Sequence, residues 1–541
     1  MDKKEILEIN HLSITYPDSK PALSDLNISV EEGEFIVIMG RTGAGKSTFG
    51  FSIAGLIPRI IKARIEGKIK VTGNEIQELP IQVGIVFQDF ETQLFSTNVL
   101  LEIAFVLENL MIPPEEMKKR CKEILALLNI RHLAHRNILT LSGGEKQIVA
   151  IASVISGRFK IFVLDEPTTD LDPIGKSMVY DILSKIPGTK ILIDNEPEKV
   201  LKANRIIILK KGKLIACDEP QKIFIENQFL ENNGIRPIDT NYVFPGIFTI
   251  EDALKFIKEN KITINPIDFN EKTPKTKKPI IECNSLSFAY NKGTKVLDNV
   301  DLVINQGEFL SIIGQNGSGK TTLAKILCRI LIPQKGSIKI KNKNIQEYTR
   351  KELAYLIGYV FQNPDHQLFC NTVKEEIAFA LKNFGWSENS IEVAIKEVLT
   401  LCDLKGYEDK DPFSLTRDEK QRLAVATVLA FKPEIIILDE PTTGLDYQQQ
   451  KRIMNLLKEL NNNGYTIIII THTMWLVAEY TNRTLVMANG RIVLDKNTRE
   501  IFKDEEELIK YHLEPPQICR LGNKLGVNIL TVEEFKKCIS M

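Results

Sequence analysis

The chain has 541 residues, with 70 lysines and arginines against 70 aspartates and glutamates, and hydrophobic side chains at 43% of its positions. This length predicts more than one domain, and the neutral charge balance is unlike the basic excess of most nucleic-acid-binding proteins. Because no apolar stretch approaches the roughly 18 residues of a membrane-spanning helix and the N-terminus is not a signal peptide, we expect a soluble, intracellular chain.

The first predicted element with a chemical signature is an apolar strand at 36–39 that runs into the loop GRTGAGKS (40–47). Glycines in this G-x-x-x-x-G-K-S/T pattern let successive backbone N–H groups point at phosphate oxygens. Lys46 is expected to reach the β- and γ-phosphates, and the Ser47 hydroxyl to bind Mg²⁺. The other candidate nucleotide-binding residues of this loop are Gly40, Gly43, Gly45 and Thr48.

A second predicted strand, in KIFVLDEP (160–167), ends in two carboxylates. Asp165 is expected to hold Mg²⁺, and Glu166 to orient or activate a water that attacks the γ-phosphate. A single acidic residue after a strand is more often a turn or a helix cap. Because these two follow a phosphate loop, catalysis is the stronger interpretation.

Both patterns recur further along the chain, since Lys320 lies 274 residues after Lys46 and Asp439 lies 274 residues after Asp165. A repeat at constant offset indicates that a whole domain has been duplicated. The alternation of strand, loop and helix predicts an α/β architecture in each copy. The second set of candidate residues is Gly314, Gly317, Gly319, Lys320, Thr321, Thr322, Asp439 and Glu440.

With LSGGEKQ (141–147) added, the motifs resemble those of the ATP-binding cassette (ABC) ATPases over nearly all of both halves. The resemblance implies two P-loop NTPase cassettes that bind ATP and Mg²⁺ and sandwich two nucleotides head to tail. Each site would then combine the phosphate loop of one cassette with the signature of the other. The resemblance further implies adenine stacking on Tyr16 and Tyr290, sensing of Mg²⁺ and water by Gln88 and Gln362, a γ-phosphate contact from His472, and a signature formed by Ser142, Gly143 and Gly144.

The segments FQDFETQLFSTNVLLEIAF (87–105) and FQNPDHQLFCNTVKEEIAF (361–379) carry the subfamily signal. Their Q-L-F and E-I-A-F pieces resemble the cobalt-type and energy-coupling-factor ATPases, which drive the uptake of vitamins and metal ions. That resemblance implies an integral membrane coupling subunit and a substrate-capture subunit as partners, with this chain peripheral to the cytoplasmic face of the cell membrane. For Gln93–Phe95 and Gln367–Phe369, simple core packing remains the alternative to a docking groove.

Two other functional classes remain open. Fused sugar-importer ATPases also contain tandem cassettes with one weakened site, but they lack the Q-L-F and E-I-A-F pattern. Soluble twin-cassette translation factors bind RNA, have intact signatures in both halves, and have a longer charged linker than this chain.

The two copies differ at two places that would meet in one composite site. SLTRDEKQ (414–421) has Thr416, Arg417 and Asp418 in place of the serine and glycines of the first signature. ILIDNE (191–196) has Asn195 or Asp194 where the second copy has His472. We expect side chains at the glycine positions to block the γ-phosphate, and Asp418 to add negative charge beside it.

One complete site is therefore expected, formed by the second copy's phosphate loop with Glu440, His472 and the first copy's signature. The other site retains Glu166 but is degenerate, so we expect it to bind ATP and hydrolyse it poorly. The predicted domains are a first cassette at 1–228, a first tail at 229–262, a linker at 263–278, a second cassette at 279–505 and a second tail at 506–541.

Overall fold

The computed structural model describes residues 4–76, 82–169, 171–269, 278–290 and 295–540. The chain divides into two compact units. The first contains Met1–Thr249 together with Asp446–Gln448, and the second contains Ile250–Leu445 together with Gln449–Met541. This division falls inside the predicted first tail, at 229–262, rather than at its end.

The first unit contains a six-stranded mixed sheet and a four-stranded antiparallel sheet. Its strands are β1 (Glu5–Thr15), β2 (Pro21–Glu31), β3 (Phe35–Met39), β4 (Arg64–Val71), β5 (Asn74–Glu75), β6 (Val83–Val86), β7 (Ile161–Asp165), β8 (Thr189–Ile193), β9 (Arg205–Lys210) and β10 (Lys213–Asp218). Its helices are α1 (Lys46–Ile53), α2 (Leu56–Arg59), α3 (Val99–Asn109), α4 (Pro114–Leu127), α5 (Gly143–Ser156), α6 (Pro173–Lys185), α7 (Pro220–Phe224), α8 (Asn227–Asn232) and α9 (Asp239–Val243).

The mixed sheet has the strand order β10-β9-β3-β8-β7-β6 and is parallel except for the β9–β10 pair. Alternate residues of β3 face two separate hydrophobic cores, with Val37 and Met39 in one and Ile36 and Ile38 in the other. Burial on both faces explains why the strand has a continuous apolar sequence rather than an alternating one. The parallel strands therefore end at a common edge, where the phosphate loop and Asp165 lie.

The second unit begins with an element of the predicted first tail and then repeats the same plan. Its strands are β11 (Thr263–Ile264), β12 (Pro279–Phe288), β13 (Leu297–Asn305), β14 (Phe309–Gly314), β15 (Lys335–Ile340), β16 (Lys343–Asn344), β17 (Ile357–Val360), β18 (Ile435–Asp439), β19 (Thr466–Ile470), β20 (Arg483–Ala488), β21 (Arg491–Asn497) and β22 (Ile539–Ser540). Its helices are α10 (Ile250–Glu259), α11 (Lys320–Leu327), α12 (Arg350–Ala354), α13 (Val373–Asn383), α14 (Glu388–Leu401), α15 (Arg417–Leu429), α16 (Tyr447–Asn462), α17 (Met474–Tyr480), α18 (Thr498–Lys503), α19 (Glu505–Lys510), α20 (Gln517–Lys524) and α21 (Val532–Cys538).

The six-stranded sheet of the second unit has the order β17-β18-β19-β14-β20-β21, which matches the order in the first unit strand for strand. Its antiparallel companion, β13-β12-β15-β16, likewise matches β2-β1-β4-β5. The prediction of a duplicated α/β domain is thus confirmed.

The first two residues of the predicted linker pair with residues 539 and 540. β11 is antiparallel to β22, with Thr263 opposite Ser540 and Ile264 opposite Ile539. The predicted linker (263–278) therefore begins too early, because its first two residues form a strand. The Lys-, Thr- and Pro-rich composition that indicated a linker starts only at 270, and residues 270–277 lie outside the described residues.

Among the described residues, no helix is both long and apolar enough to cross a bilayer.

Candidate functional site

The two predicted phosphate loops have nearly the same backbone. Gly40, Gly43 and Gly45 have φ angles of 144°, 75° and 99°, and Gly314, Gly317 and Gly319 have φ angles of 149°, 78° and 101°. A Cβ on Gly40 would lie 2.3 Å from the carbonyl oxygen of Leu209, and one on Gly314 would lie 2.2 Å from that of Met487. Only glycine fits both this backbone and this space, so each strand can turn directly into a loop that lies at a helix N-terminus.

The lysines of the loops are buried and turned inward. Lys46 Nζ donates to the carbonyl oxygens of Gly40 and Arg41, at 3.0 and 3.1 Å. Lys320 Nζ donates to the carbonyl oxygens of Gly314 and Gln315, both at 2.8 Å. Each ammonium group is thus held inside the curl of its own loop, at the position where a phosphate would be cradled.

The tyrosines predicted to stack on adenine contact these loops through their hydroxyl groups. The oxygen of Tyr16 lies 3.1 Å from Thr48 Oγ1, and that of Tyr290 lies 3.2 Å from Thr322 Oγ1. The ring of Tyr290 is more than half exposed. The contacts fix both rings beside the first turns of α1 and α11, while stacking on a base stays a prediction.

Two buried carboxylates end the strands beside the loops. Burial raises the pKa of Asp165 to about 6, although a hydrogen bond from Ser47 opposes the shift. Burial also raises the pKa of Asp439, against hydrogen bonds from Thr321 and Tyr359. In each carboxylate, Oδ1 is buried without a hydrogen-bond partner among the described residues.

An unpartnered carboxylate oxygen beside a hydroxyl fits a hard divalent cation such as Mg²⁺. Within the described ranges, no group of three or more His, Cys, Asp and Glu side chains could hold a metal by itself.

The two candidate catalytic glutamates have the same backbone strain but different partners. Glu166 and Glu440 have φ angles of 45° and 46°, in the left-handed region that non-glycine residues rarely adopt. Glu166 Oε2 accepts hydrogen bonds from Gln88 Nε2 at 2.9 Å and Thr169 Oγ1 at 3.3 Å, and its Oε1 lies 3.6 Å from Lys46 Nζ. Both of its oxygens are therefore occupied.

Glu440 has one oxygen bound and one available. Its Oε1 lies 2.9 Å from His472 Nδ1, in a pair whose side chains are about nine-tenths buried. Its Oε2 is buried and has no hydrogen-bond partner among the described residues. A fixed carboxylate with one unpartnered acceptor oxygen can orient a water molecule, whereas each oxygen of Glu166 already lies near a partner.

The strand registers settle which residue replaces His472 in the first copy. Asp165 lies opposite Ile193 and Asp439 lies opposite Ile470, so Asn195 occupies the position of His472. Asn195 Oδ1 accepts from the Gly40 N–H at 3.2 Å, and its Nδ2 donates to the Gly40 carbonyl at 3.3 Å. This side chain is tied to the phosphate loop, whereas His472 is tied to the catalytic glutamate.

Asp194, the other sequence candidate, points into the core instead. Its carboxylate accepts from Thr168 Oγ1 at 2.7 Å, the Tyr180 hydroxyl at 2.8 Å and the Glu196 N–H at 3.1 Å. Burial, followed by the charge of Glu196, raises the pKa of Asp194 to about 6. Asp194 therefore packs in the core and does not occupy the position that corresponds to His472.

This raised pKa predicts a pH-dependent stability difference. A carboxyl group whose folded-state pKa lies above its unfolded value near 3.9 favours folding at low pH, and that contribution is lost as pH rises to about 6. Asp194→Asn removes the titration, so the variant should gain about 2 kcal/mol of unfolding free energy relative to the parent between pH 4 and pH 7. Denaturant titration of both proteins at the two pH values measures this gain. A stability difference that stays the same at both would contradict it.

Each signature begins a helix with a capping box. Ser142 caps α5 with Glu145, and Thr416 caps α15 with Glu419, so the serine-to-threonine change preserves the local fold. Gly143 and Gly144 have no positive φ, and a Cβ on either would meet no atom within 4 Å. Glycine weakens a helix relative to alanine, so the fold does not explain these two residues. The role predicted for them, close approach of a nucleotide, stays a prediction.

The expectation that Asp418 adds charge beside the γ-phosphate is wrong. Asp418 is 4% exposed, and its Oδ2 lies 3.1 Å from Arg422 Nη2 and 3.6 Å from Arg452 Nη1. Because residues four apart on a helix share a face, Arg422 meets the carboxylate inside the core and neutralises it. Arg417, at the first glycine position of this signature, is exposed, and its guanidinium carbon would lie 2.6 Å from a Cβ placed on Gly444.

Comparisons with known proteins agree with this geometry. The family model described as "ABC transporter" matches residues 23–169 and 297–443, which together make up more than half of the chain. A Caldanaerobacter subterraneus protein, provisionally named an ABC transporter ATP-binding protein, is 42% identical over 99% of both chains. The chain belongs to the ABC transporter family. It is an ATPase of the P-loop class, in which ATP hydrolysis is coupled to transport.

Other relatives extend this likeness. A Methanosarcina acetivorans protein with the same provisional name is 36% identical, over 99% of this chain and 94% of its own. The solved structure of CbiO1 from Clostridium perfringens, described as part of the ABC transporter complex CbiONQ, is 36% identical. It covers 46% of this chain and 99% of its own, with a TM-score of 0.40.

The segments that follow Gln88 and Gln362 contain both hydrogen-bonded anchors and exposed aromatic residues. In the first ABC cassette, the Gln93 side chain accepts from the Phe87 N–H at 3.2 Å and donates to the Ile85 carbonyl at 3.1 Å. In the second, the Gln367 side chain accepts from the Phe361 N–H at 3.3 Å and donates to the Thr427 hydroxyl at 2.8 Å. The glutamines are thus structural anchors, as the packing interpretation of Q-L-F supposes.

The phenylalanines of the same motifs are not core residues. Phe95 and Phe105 are 63% and 39% exposed and meet edge to face at 4.4 Å between ring centroids. Phe369 and Phe379 are 58% and 45% exposed and meet in the same way at 4.7 Å. Each ABC cassette therefore presents an aromatic pair on its surface.

Sequence reasoning missed the carboxylates that hold these pairs in place. Glu102 Oε2 accepts from the N–H groups of Phe95 and Ser96, at 3.2 and 2.8 Å. Glu376 Oε2 accepts from those of Phe369 and Cys370, at 2.8 and 2.7 Å. Both glutamates are buried. The glutamate of each E-I-A-F piece therefore fixes the loop that carries the phenylalanine of the Q-L-F piece. A glutamate recurring at the same spacing in both copies was the available signal.

Proposed function

We infer that the chain is the ATP-hydrolysing subunit of an energy-coupling-factor type importer, which takes up a vitamin or a metal ion through separate membrane subunits. The observation that carries this proposal is the exposed aromatic pair, present in both cassettes beside the glutamine loop. Exposed apolar side chains that are rigidly held and duplicated are typical of an interaction site. A helix of a membrane subunit is the occupant that the subfamily resemblance implies.

The aromatic pairs lie where they can report on the nucleotide. In the first cassette, Gln88 donates to Glu166 at 2.9 Å, and the Gln93 side chain bonds to the backbone of Ile85 and Phe87, just before Gln88. A partner that moves Phe95 would therefore pull on a segment that contacts the catalytic glutamate. This short connection provides a physical route between a membrane subunit and the ATP site.

A photo-crosslinking amino acid at Phe95 or Phe369 should give adducts with an integral membrane protein when the full chain is expressed in its native cells. The expectation follows from the exposure of both rings and their fixed loops. Mass spectrometry of the adducts identifies the partner. Ile225 is a matched control, because it is apolar and 51% exposed but lies outside these segments.

Adducts at Phe95 and Phe369 that contain only ribosomal proteins or RNA would refute the importer proposal and favour a translation factor. Adducts with the permease of a sugar importer would favour that fused class instead. Ile225 should give neither set of adducts above background.

The nucleotide sites are proposed to be unequal. In the complete site, Lys320, Asp439, Glu440 and His472 of the second cassette act on one ATP, with the signature Ser142-Gly143-Gly144 from the first. In the degenerate site, Lys46, Asp165 and Glu166 hold a second ATP with Asn195 and the altered signature. The open Oε2 of Glu440, against two occupied oxygens on Glu166, supports hydrolysis at the complete site.

When bound, Mg²⁺ would supply positive charge that offsets the negative charge of the phosphates. Ser47, Gln88 and Asp165 in the first cassette, and Thr321, Gln362 and Asp439 in the second, would hold it. The lysines and the loop N–H groups would bind the phosphates, and Glu440 Oε2 would accept a hydrogen bond from the attacking water. The proposed location is the cytoplasmic face of the cell membrane, in a complex with a coupling subunit and a substrate-capture subunit.

A further inference from the structure

Tyr359 is a feature of the second cassette that the motifs do not account for. Its hydroxyl donates a hydrogen bond to Asp439 Oδ2 at 2.9 Å. The first cassette has Ile85 at this position, since Tyr359 pairs with Ile437 in β18 and Ile85 pairs with Val163 in β7. Asp165 therefore has no counterpart of this contact from its neighbouring strand, and the difference falls on the acid that faces the metal.

The strand register explains how the phenol reaches the carboxylate. Ile437 and Asp439 are two residues apart in β18, so their side chains lie on the same face of the sheet, and Tyr359 lies beside Ile437. The ring of Phe361 packs edge to face against Tyr359, with 4.9 Å between the ring centroids. The phenol is thus held by the sheet on one side and by an aromatic ring on the other.

The hydrogen bond fixes the orientation of the carboxylate. A carboxylate group can rotate about its Cβ–Cγ bond and exchange its two oxygens. Because Oδ2 of Asp439 is bound to Tyr359, the unpartnered Oδ1 is the oxygen left to face a ligand. Outer hydrogen bonds that orient metal ligands typically change metal affinity by about 10–100-fold when they are removed.

We propose that Tyr359 is a positioning residue that orients Asp439 for Mg²⁺ in the second cassette, and that its absence makes the first cassette bind Mg²⁺ with ATP more weakly. The inference rests on the proposed assignment of Asp439 and Asp165 to Mg²⁺. It adds a third difference between the two sites, beyond the altered signature and the replacement of His472 by Asn195. All three differences favour hydrolysis on the second cassette's nucleotide.

The test uses the full chain with the first phosphate loop disabled by Lys46→Ala, so that only the second cassette binds nucleotide. The probe is the non-hydrolysed analogue AMP-PNP, and the measurement is its affinity as a function of Mg²⁺ concentration. Tyr359→Phe keeps the ring and removes only the hydroxyl. We expect the Mg²⁺ midpoint to rise by about 10-fold or more, with AMP-PNP affinity in EDTA unchanged.

Three controls separate the possible causes. Ile85→Val, measured in a Lys320→Ala background, should leave the Mg²⁺ midpoint of the first cassette unchanged, because neither side chain has a hydroxyl. Asp439→Asn should abolish most of the Mg²⁺ dependence of AMP-PNP binding. If it does not, Asp439 does not bind Mg²⁺, and the proposed function of this site is wrong independently of Tyr359. Melting temperatures establish that the variants are folded.

The inference is overturned if Tyr359→Phe leaves the Mg²⁺ midpoint within about twofold of its parent while Asp439→Asn shifts it strongly. It is also overturned if Tyr359→Phe weakens AMP-PNP binding equally with and without Mg²⁺, because a purely packing role would act on both. Comparing the first and second cassettes directly, in the Lys320→Ala and Lys46→Ala backgrounds, should show the tighter Mg²⁺ midpoint in the second.

Discussion

Replacing Glu440 by glutamine should lower steady-state ATP hydrolysis by roughly 10²–10⁴-fold, the usual contribution of a general base. The variant keeps the shape of the side chain and can still bond to His472. It loses the negative charge at Oε2, the buried oxygen that has no partner among the described residues. The measurement is phosphate release by the purified transport complex at saturating Mg²⁺ and ATP.

Glu166→Gln is the matched control, because both glutamates share the strained backbone and follow the same strand. Its carboxylate is engaged by Gln88, Thr169 and Lys46, and its site has Asn195 in place of the histidine. We expect this variant to retain most of the parent rate. Equal losses from the two substitutions would mean that both sites hydrolyse ATP, and the proposed inequality would have to be abandoned.

Local motifs explain why the sequence predicted so much of the nucleotide sites. A phosphate loop depends on glycines at fixed spacing within eight residues, and the φ angles of both loops are those that such glycines permit. Asp165, Asp439 and their neighbouring glutamates follow buried strands, and parallel strands end at one edge of a sheet. Short-range pattern and sheet topology together were enough to bring these residues beside the loops.

Asp418 shows where such reasoning fails. Its place in the signature suggested a charge facing phosphate, because the sequence gives a position but not the direction of a side chain. The phase of α15 turns Asp418 towards Arg422, four residues later, and the arginine keeps it in the core. The spacing was visible in the sequence, but the burial of both residues depends on packing against distant elements.

Long-range pairing was equally invisible. β11 has only two residues, and its partner β22 lies at the other end of the chain. The contact between Tyr359 and Asp439 joins residues 80 positions apart across neighbouring strands. Neither can be derived from periodicity, although aligning the two copies would have singled out Tyr359 against Ile85.

A substitution in the first signature should also have a large effect on ATP hydrolysis. The fold does not require glycine at positions 143 and 144, because a Cβ there would meet no atom within 4 Å. Gly143→Arg copies the residue that the second cassette has at this position. It should lower ATP hydrolysis by roughly 10²–10³-fold, the cost of losing one group that stabilises a transition-state oxygen. The expected reason is steric, because in the proposed complete site a side chain here would occupy the space next to the γ-phosphate.

The fold should tolerate this substitution, because a Cβ on Gly143 meets no atom within 4 Å and arginine favours a helix over glycine by about 0.5–1 kcal/mol. A melting temperature equal to or above that of the parent, together with the loss of hydrolysis, would separate a site effect from misfolding. Arg417→Gly is the matched change in the degenerate signature, and we expect it to alter the rate by less than about threefold, since Asn195 and the engaged Glu166 still limit that site. If Gly143→Arg instead kept at least half of the parent rate in a folded protein, the first signature would not serve the hydrolysing nucleotide. The complete site would then have to be sought in another pairing of these motifs.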